Sequence, residues 1–322
     1  MGSQMSKSRE SRERWANREV LEHEIDDLPM LPSAIISLSQ MTGSEPDFLK
    51  RVAQIVERDP PLAARLLRES ASVEDCDLSG ALDVEGLLFS IGRERLAEVL
   101  VGGGVVEVFV PGTDGQRNLW THSIQVAVAA SQIAARRPQL GVTPSHAYFA
   151  GLLHDIGRFL MFRTGEIELG LVEESGYLVP EDMLKAEFET YGITHTWVGR
   201  TLCERWGFPE LVSAAVGQHH SALDMKVVSP EVRAILSVVR QADDLSFYLR
   251  HPNSFAKGRP AAERLDEVMR RDYWPDPPMD SKALLRCLPE IRLQTRRRTR
   301  LALGAFQTEA EAGSRLSSAR AL

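Results

Sequence analysis

The chain is expected to be all-α, and two observations carry that expectation: apolar residues recur at three- and four-residue intervals, and capping residues stand where those runs begin. Asp59 precedes Pro60 and Pro61, which fit a first helical turn because a missing backbone N–H costs nothing there. Leu62, Leu66 and Leu67 then give that helix a buried stripe. Thr194 is placed to cap a second helix, in which His195, Val198, Leu202 and Trp206 share one face.

Composition narrows the class. At 322 residues the chain can build one large or two ordinary domains around a hydrophobic core. Its 38 basic and 45 acidic side chains leave a net charge of -7, so no overall field draws it to nucleic acid or to an anionic membrane. Cys76, Cys203 and Cys287 lie far apart, which suits packing roles in a reducing cytoplasm better than a disulfide framework. The longest apolar stretch, Leu96 to Val110, is broken by Glu98, Glu107 and three glycines, so no membrane span is expected. The expectation is a soluble cytoplasmic protein.

Five segments follow in order. Residues 1–25 read as a tag remnant, Met1 to Met5, and a charged surface helix, Glu10 to Ile25. Residues 26–115 form an N-terminal helical subdomain, with apolar positions at Leu28, Ile35, Leu38, Phe48, Val52 and Ile55. Residues 116–252 form a second helical subdomain. Its helices start at Asn118, run from about Ser145 to Phe162, and close with Glu231 to Arg250. A helical extension, 253–306, carries the basic run Arg296, Arg297, Arg298 and Arg300, which reads as a solvated face with phosphate or RNA contact as the alternative. Residues 307–322, small and polar, are expected to be disordered.

Chemistry concentrates in the second subdomain. His154 and Asp155, within GLLHDIG, offer a nitrogen and an oxygen ligand on a helix whose other positions are apolar. Buried ionisable groups need partners or a metal. His122 lies on or beside the apolar face of the preceding helix, marked by Val126, Ala129 and Ala130. Asp243 falls four residues after Val239, on the flank of the apolar stripe, and is read as buried. Asp244 falls four after Arg240 and is read as its surface partner.

These motifs resemble the HDOD (HD-related output) domains, the regulatory branch of the HD and HD-GYP metal-dependent phosphohydrolase superfamily. The resemblance rests on LPMLP, on DPPLA, on the helix ending SIGRERL, on the His-Asp pair, and on ITHTWVGRTLCERWGFPELVSAAVGQHH from Ile193 to His220. It implies an HD-like helical bundle with an N-terminal helical subdomain. By the same resemblance His122, His154, Asp155 and Asp243 hold a divalent ion, with Mn, Fe, Ni or Mg suited to two nitrogens and two carboxylates. His195, His219 and His220 occupy positions that feed a second metal or contact phosphate. No organic cofactor is implied.

Two departures separate the chain from the enzyme branch: Arg158 stands where a lysine is usual, and Ser221 to Asp224 replaces the GYP element. The resemblance therefore implies a bacterial signalling protein that binds a nucleotide, a cyclic dinucleotide or a protein partner. The alternative is a phosphohydrolase of nucleotides or cyclic dinucleotides. In that case Asp155 carries the catalytic ion, and Arg158 and His195 steady the phosphate.

Overall fold

The computed structural model of the chain describes residues 46–71, 83–97, 100, 114–163, 180–221, 228–250, 260–269 and 278–319, and every regular element among them is helical. The LPMLP start, the leader helix, Cys76 and Ser221's followers from 222 to 227 lie outside the described residues.

The first described elements are α1 (Phe48–Val56), α2 (Pro60–Ala71), α3 (Val84–Ile91) and the short α4 (Arg93–Ala97). Helix α1 buries Phe48, Val52, Ile55 and Val56, the spacing of one helical face. Asp59 Oδ1 accepts from the Leu62 N–H at 3.2 Å, so α2 opens on the expected cap with both prolines in its first turn. Asp83 caps α3 through the Gly86 N–H at 2.8 Å. Gly92 ends that helix at φ 79°, a left-handed conformation that favours glycine. Glu69 joins α2 to α4 by pairing with Arg95 at 3.5 Å.

The following helices are built on α5 (Asp114–Arg136), which packs against α6 (Pro144–Leu153), α11 (Pro230–Arg250) and α13 (Ser281–Ala319). Around it stand α7 (Ile156–Arg163), α8 (Pro180–Tyr191), α9 (His195–Trp206) and α10 (Glu210–Gln218), and α12 (Ala261–Met269) lies against α11. Helix α5 begins four residues before Asn118, at Asp114, with the Asp114 to Arg117 ion pair in its first turn. It is buried almost all round because neighbours cover it on three sides, and Trp120 meets the Phe159 ring edge-on at 4.4 Å.

Two expectations are corrected here. The helix expected from Ser145 to Phe162 is two helices, α6 and α7, which meet at His154 and Asp155. The Gly151 carbonyl, four residues before Asp155, accepts from the His154 ring at 2.8 Å, and a side chain that competes for a helical carbonyl favours interruption. Asp244 is not on the surface but 3% exposed. It shares a stripe of α11 with Gln241 and Tyr248, and the C-terminal extension covers that stripe: Gln241 accepts from the Met279 N–H at 2.8 Å and Tyr248 reaches the Ala261 carbonyl at 3.5 Å. Within the extension, 253–306, the described residues form α12 and α13, and α13 runs from Ser281 to Ala319.

No helix among the described residues is long and apolar enough to cross a membrane. Cys203 is buried, and desolvation pushes its thiol up to about 12, consistent with an inert packing residue.

Candidate metal centre

The break between α6 and α7 solves a geometric problem. Adjacent side chains on one helix diverge by about 100°. Released from a continuous helix, His154 and Asp155 both face the same buried cluster, 1% and 2% exposed. Two glycines then draw the next helices together. A Cβ added to Gly157 would lie 2.1 Å from the His195 carbonyl oxygen, and one added to Gly199 would lie 2.5 Å from Val216 Cγ1. Only glycine allows α7, α9 and α10 to approach this closely, and the approach sets Asp155 beside His195 and His219.

Asp155 is the centre of the arrangement. Its Oδ2 lies 3.4 Å from His122 Nε2 and 3.7 Å from His154 Nε2. Its Oδ1 lies 3.4 Å from His195 Nε2 and 3.7 Å from His219 Nε2. Asp243 repeats the pattern, with Oδ1 3.3 Å from His122 Nε2 and Oδ2 3.8 Å from His220 Nε2. The cluster thus has two lobes. One contains His122, His154 and Asp243, the other His195, His219 and His220, and in each the ligand atoms lie within 4.8 Å of one another.

Proton positions test whether a cation fits. His154 Nδ1 donates to the Gly151 carbonyl at 2.8 Å, and His219 Nδ1 donates to the Ala215 carbonyl at 2.8 Å. His195 Nδ1 donates to the Glu187 carboxylate at 2.8 Å. His122 Nδ1 donates to Ser246 Oγ at 2.9 Å, because the Ser246 hydroxyl itself donates to Gln125 Oε1. Each neutral ring therefore presents a bare Nε2 lone pair to the interior. These lone pairs converge: His122 and His154 Nε2 are 3.2 Å apart, and His195 and His219 Nε2 are 3.3 Å apart. Asp155 Oδ1 is buried without a hydrogen-bond donor. Converging lone pairs and an orphaned carboxylate oxygen repel one another unless a cation lies among them, so the residues present fit a divalent metal.

The electrostatics agree. Burial pushes His154 down to about 4, with Asp155 opposing and the His219 and His122 rings adding to the fall. His220 is held well below the usual histidine range by burial and by His219. Burial also opposes ionisation of Asp155 and Asp243, yet positive charge on the rings outweighs it and holds both carboxyls well below the usual range, so these carboxylates call for cationic charge beside them. His195 moves the other way: burial lowers it, but the Glu187 and Asp155 carboxylates prevail and raise it. In the absence of metal, His195 is the ring best placed to carry a compensating proton.

Of the residues expected from sequence, His122, His154, Asp155, Asp243, His195, His219 and His220 all meet in this cluster. Arg158 meets it too, 1% exposed, with its guanidinium 3.5 Å from Asp155 Oδ2. Arg296, Arg297, Arg298 and Arg300 do not, since they lie on α13. Sequence reading missed four supporting residues. Glu187 is fully buried and accepts from both the His195 N–H and its ring; its signal was its place four residues after the buried Met183. Ser246 and Gln125 orient His122. Arg240, expected to pair with Asp244 in water, donates instead to the Gln218 carbonyl at 2.6 Å and to the Ser221 carbonyl, which pins the turn that carries His219 and His220.

Comparison with known proteins follows the same line. The model of the HDOD domain matches residues 28–222. Over 200 residues the chain is 24% identical to an uncharacterized protein of Treponema pallidum (strain Nichols), a match that covers 61% of this chain and 38% of that protein. The chain thus spans under two-fifths of that relative's length. Among solved structures it is similar to a virulence factor of Campylobacter jejuni, with a TM-score of 0.60 and 15% identity over 87% of this chain and 96% of the other. It is also similar to the MmoQ response regulator of Methylococcus capsulatus, with a TM-score of 0.56 and 19% identity over 75% and 93%. At these identities the structural likenesses show the fold alone.

Proposed function

The chain belongs to the HDOD family, and from that footing we propose that it is a cytoplasmic regulatory protein whose HD-like cluster holds divalent metal and binds a small phosphorylated ligand, with turnover secondary to binding. The observation that carries the metal is the convergence of four Nε2 lone pairs on the two oxygens of Asp155. His122, His154, Asp155 and Asp243 would hold one ion, and His195, His219 and His220 would complete the second lobe. When bound, such an ion supplies a Lewis acid and a water of lowered pKa.

Charge balance supports a phosphorylated ligand. Asp155, Asp243 and Glu187 oppose Arg158 in the buried cluster, which leaves two negative charges with the rings neutral. One divalent ion neutralises them. A second would leave two positive charges in a buried site, and an anionic phosphate is the partner that removes such an excess. Arg158 explains why binding outranks turnover. Its guanidinium is buried against Asp155 rather than held in readiness for a substrate, and a planar fork does not replace a compact ammonium at a phosphate.

A phosphohydrolase acting on a nucleotide or cyclic dinucleotide is the second reading, favoured by the completeness of both lobes. Metal analysis of protein purified without chelators, followed by a phosphoester panel assayed with Mn, Fe, Ni and Mg, separates the two. The regulatory reading expects bound divalent metal that Asp155→Ala abolishes, and a nucleotide or cyclic dinucleotide that raises the melting temperature, with the effect lost in His154→Ala. Rapid metal-dependent hydrolysis abolished by Asp155→Ala would make the protein an enzyme. A metal-free wild type whose melting curve ignores added Mn or Fe would make the cluster a relic.

A further inference from the structure

The basic run on α13 divides into two sets. Gln294, Arg297, Arg298 and Leu301 follow the spacing of one helical face, and they form one wall of a cavity of about 270 Å³. Gln54, Glu57 and Arg58, at the end of α1 and just beyond it, form the other wall. Arg296 and Arg300 do not line the cavity and are exposed to solvent.

The charges inside are not balanced. Arg298 donates to Glu57 Oε2 at 2.6 Å and lies 4.9 Å from the centre of the Tyr148 ring, so it is fixed and its charge is answered. Arg58 and Arg297 have no ion-pair partner among the described residues. Asp59, next to Arg58, does not line the cavity, and its carboxylate accepts from the Leu62 N–H inside α2. Arg58 is also half-buried, where desolvation and the Arg298 charge press its pKa down against the pull of Asp59. Two guanidiniums from opposite walls, together with the Gln54 carboxamide, make the cavity rich in donors and positive, with its one carboxylate already engaged and the Gln294 amide donating to Glu290 at 2.6 Å. Ligands with several anionic oxygens suit such a lining, and arginine forks match phosphate in particular.

Size selects among phosphate ligands. A cavity of about 270 Å³ lies just under the range of roughly 300–1,000 Å³ typical of pockets for drug-sized molecules. It suits a compact group with two linked phosphates better than a cyclic dinucleotide. Nor do the arginines form a continuous basic track of the kind an RNA backbone follows, because Arg296 and Arg300 leave the lined face.

We propose that the cleft between α13 and the α1–α2 junction is a second anion site, which takes a small diphosphate-bearing molecule between Arg58 and Arg297. It is independent of the metal centre. The test is calorimetric titration of the full chain with inorganic pyrophosphate in the presence of EDTA, with sulfate at matched ionic strength as the control. Saturable pyrophosphate binding is expected, much tighter than for sulfate. Arg58→Ala and Arg297→Ala should each weaken it by about tenfold or more, as befits loss of a charge-assisted contact. Arg296→Ala and Arg300→Ala should leave it unchanged, as should His154→Ala, which disables the metal centre. Circular dichroism of each variant checks the fold, and Arg297, exposed at the cleft rim, is the variant least able to disturb it. The proposal is overturned by any of three results: no saturable binding, equal binding of sulfate, or a loss in Arg296→Ala or His154→Ala as large as in Arg297→Ala. Tight RNA binding that depends on Arg296 and Arg300 and resists pyrophosphate would likewise overturn it in favour of a nucleic-acid surface.

Discussion

The helices α1 to α3 and the bundle α5 to α11 exclude water from their inner faces equally well, yet they enclose different things. Around α2 the enclosed groups are Phe48, Val52, Leu62, Leu66 and Leu67, all at 0% exposure. Around α5 the enclosed groups include His122, His154, Asp155, Arg158, His195, His219 and Glu187, none more than 2% exposed. Burying a side chain of the first kind stabilises the fold by roughly 1.5–3 kcal/mol, whereas burying an unpaired group of the second kind costs free energy. The N-terminal helices are thus held by what they bury, and the second bundle must be held despite it. Trp120, Phe149, Leu152 and Ile124 around the cluster supply that surplus.

The most disruptive way to test the contrast is to put a charge where only apolar groups belong. Leu66→Asp introduces a carboxylate into an apolar stripe with no exposure, shared with Leu62 and Leu67, and not into a cage of imidazole rings like the one around Asp155. The expected result is loss of soluble protein or of the cooperative melting transition; unchanged helicity and solubility would refute the placement of α2. Asp155, an aspartate just as buried, is compatible with folding because rings surround it.

Next in size is Gly157→Ala, which adds a single methyl group where the His195 carbonyl stands 2.1 Å away. Helices α7 and α9 must separate, at about 3 kcal/mol, the upper end of the usual scale of overpacking. Because the same crossing sets Asp155 beside His195, metal content should fall together with stability. Measurement of urea midpoints and metal stoichiometry in one preparation checks both. A destabilised variant that kept full metal would show that the crossing does not position the centre.

How much of this was legible in the sequence follows the same divide. The apolar stripes of α1 and α2, the Asp59 cap and the seven His and Asp residues of the cluster could all be read, because each depends on near neighbours or on a motif spelled out along the chain. The break at His154 was not, since it needs the ring to take a carbonyl that periodicity assigns to the helix. Glu187, Ser246 and Arg240 were missed because their roles are defined by partners 8 to 124 residues away. Asp244 was misplaced for a similar reason. The stripe it occupies is polar in pattern, and only the later extension, through Met279 and Ala261, covers it. The arginine cleft was half legible: the run stood out, but Arg297 and Arg298 separate from Arg296 and Arg300 only when Glu57 and Arg58 come to face them.

Acid should distinguish the two regions without any mutation. In metal-free protein His154 has its pKa lowered from 6.5 to about 4, and His220 is lowered as well. The unfolded chain therefore binds more protons in this window. The stability these rings contribute is present above about pH 6.5 and is lost as pH falls toward 4. His195, with a raised pKa, acts in the opposite sense: its contribution is present below about 6.5 and is lost as pH rises through its own pKa. His154 alone, lowered from 6.5 to about 4, accounts for a loss on acidification on the order of 3 kcal/mol; His220 adds to it, and His195 opposes it only near and above pH 6.5. Urea midpoints in EDTA at half-unit steps would show it. Leu66→Ala, which opens a cavity in the apolar core, should lower every midpoint without changing the pH slope, whereas His154→Leu should flatten the slope. A slope that survives His154→Leu would remove this ring from the account.

The smallest expected effect concerns the joint between the regions. Tyr148 lies on α6, six residues before His154, and its hydroxyl donates to the Glu57 carbonyl at the end of α1 at 2.5 Å. Burial pushes the Tyr148 hydroxyl well above the usual phenol range, so it keeps its proton and remains a donor at every pH at which the fold survives. Tyr148→Phe keeps the ring that faces Arg298 and removes the hydroxyl, with its bond to Glu57 and its contact with the Arg298 side chain. A net loss of about 1 kcal/mol is expected, the usual worth of one hydrogen bond, and it should be the same with and without bound metal. Equal losses mean that the N-terminal helices support α6 without tuning the centre at its end. If the loss is larger in the metal-loaded protein, or metal affinity falls with the hydroxyl, then the two regions are coupled through α6, and the apolar core takes part in metal binding through Tyr148.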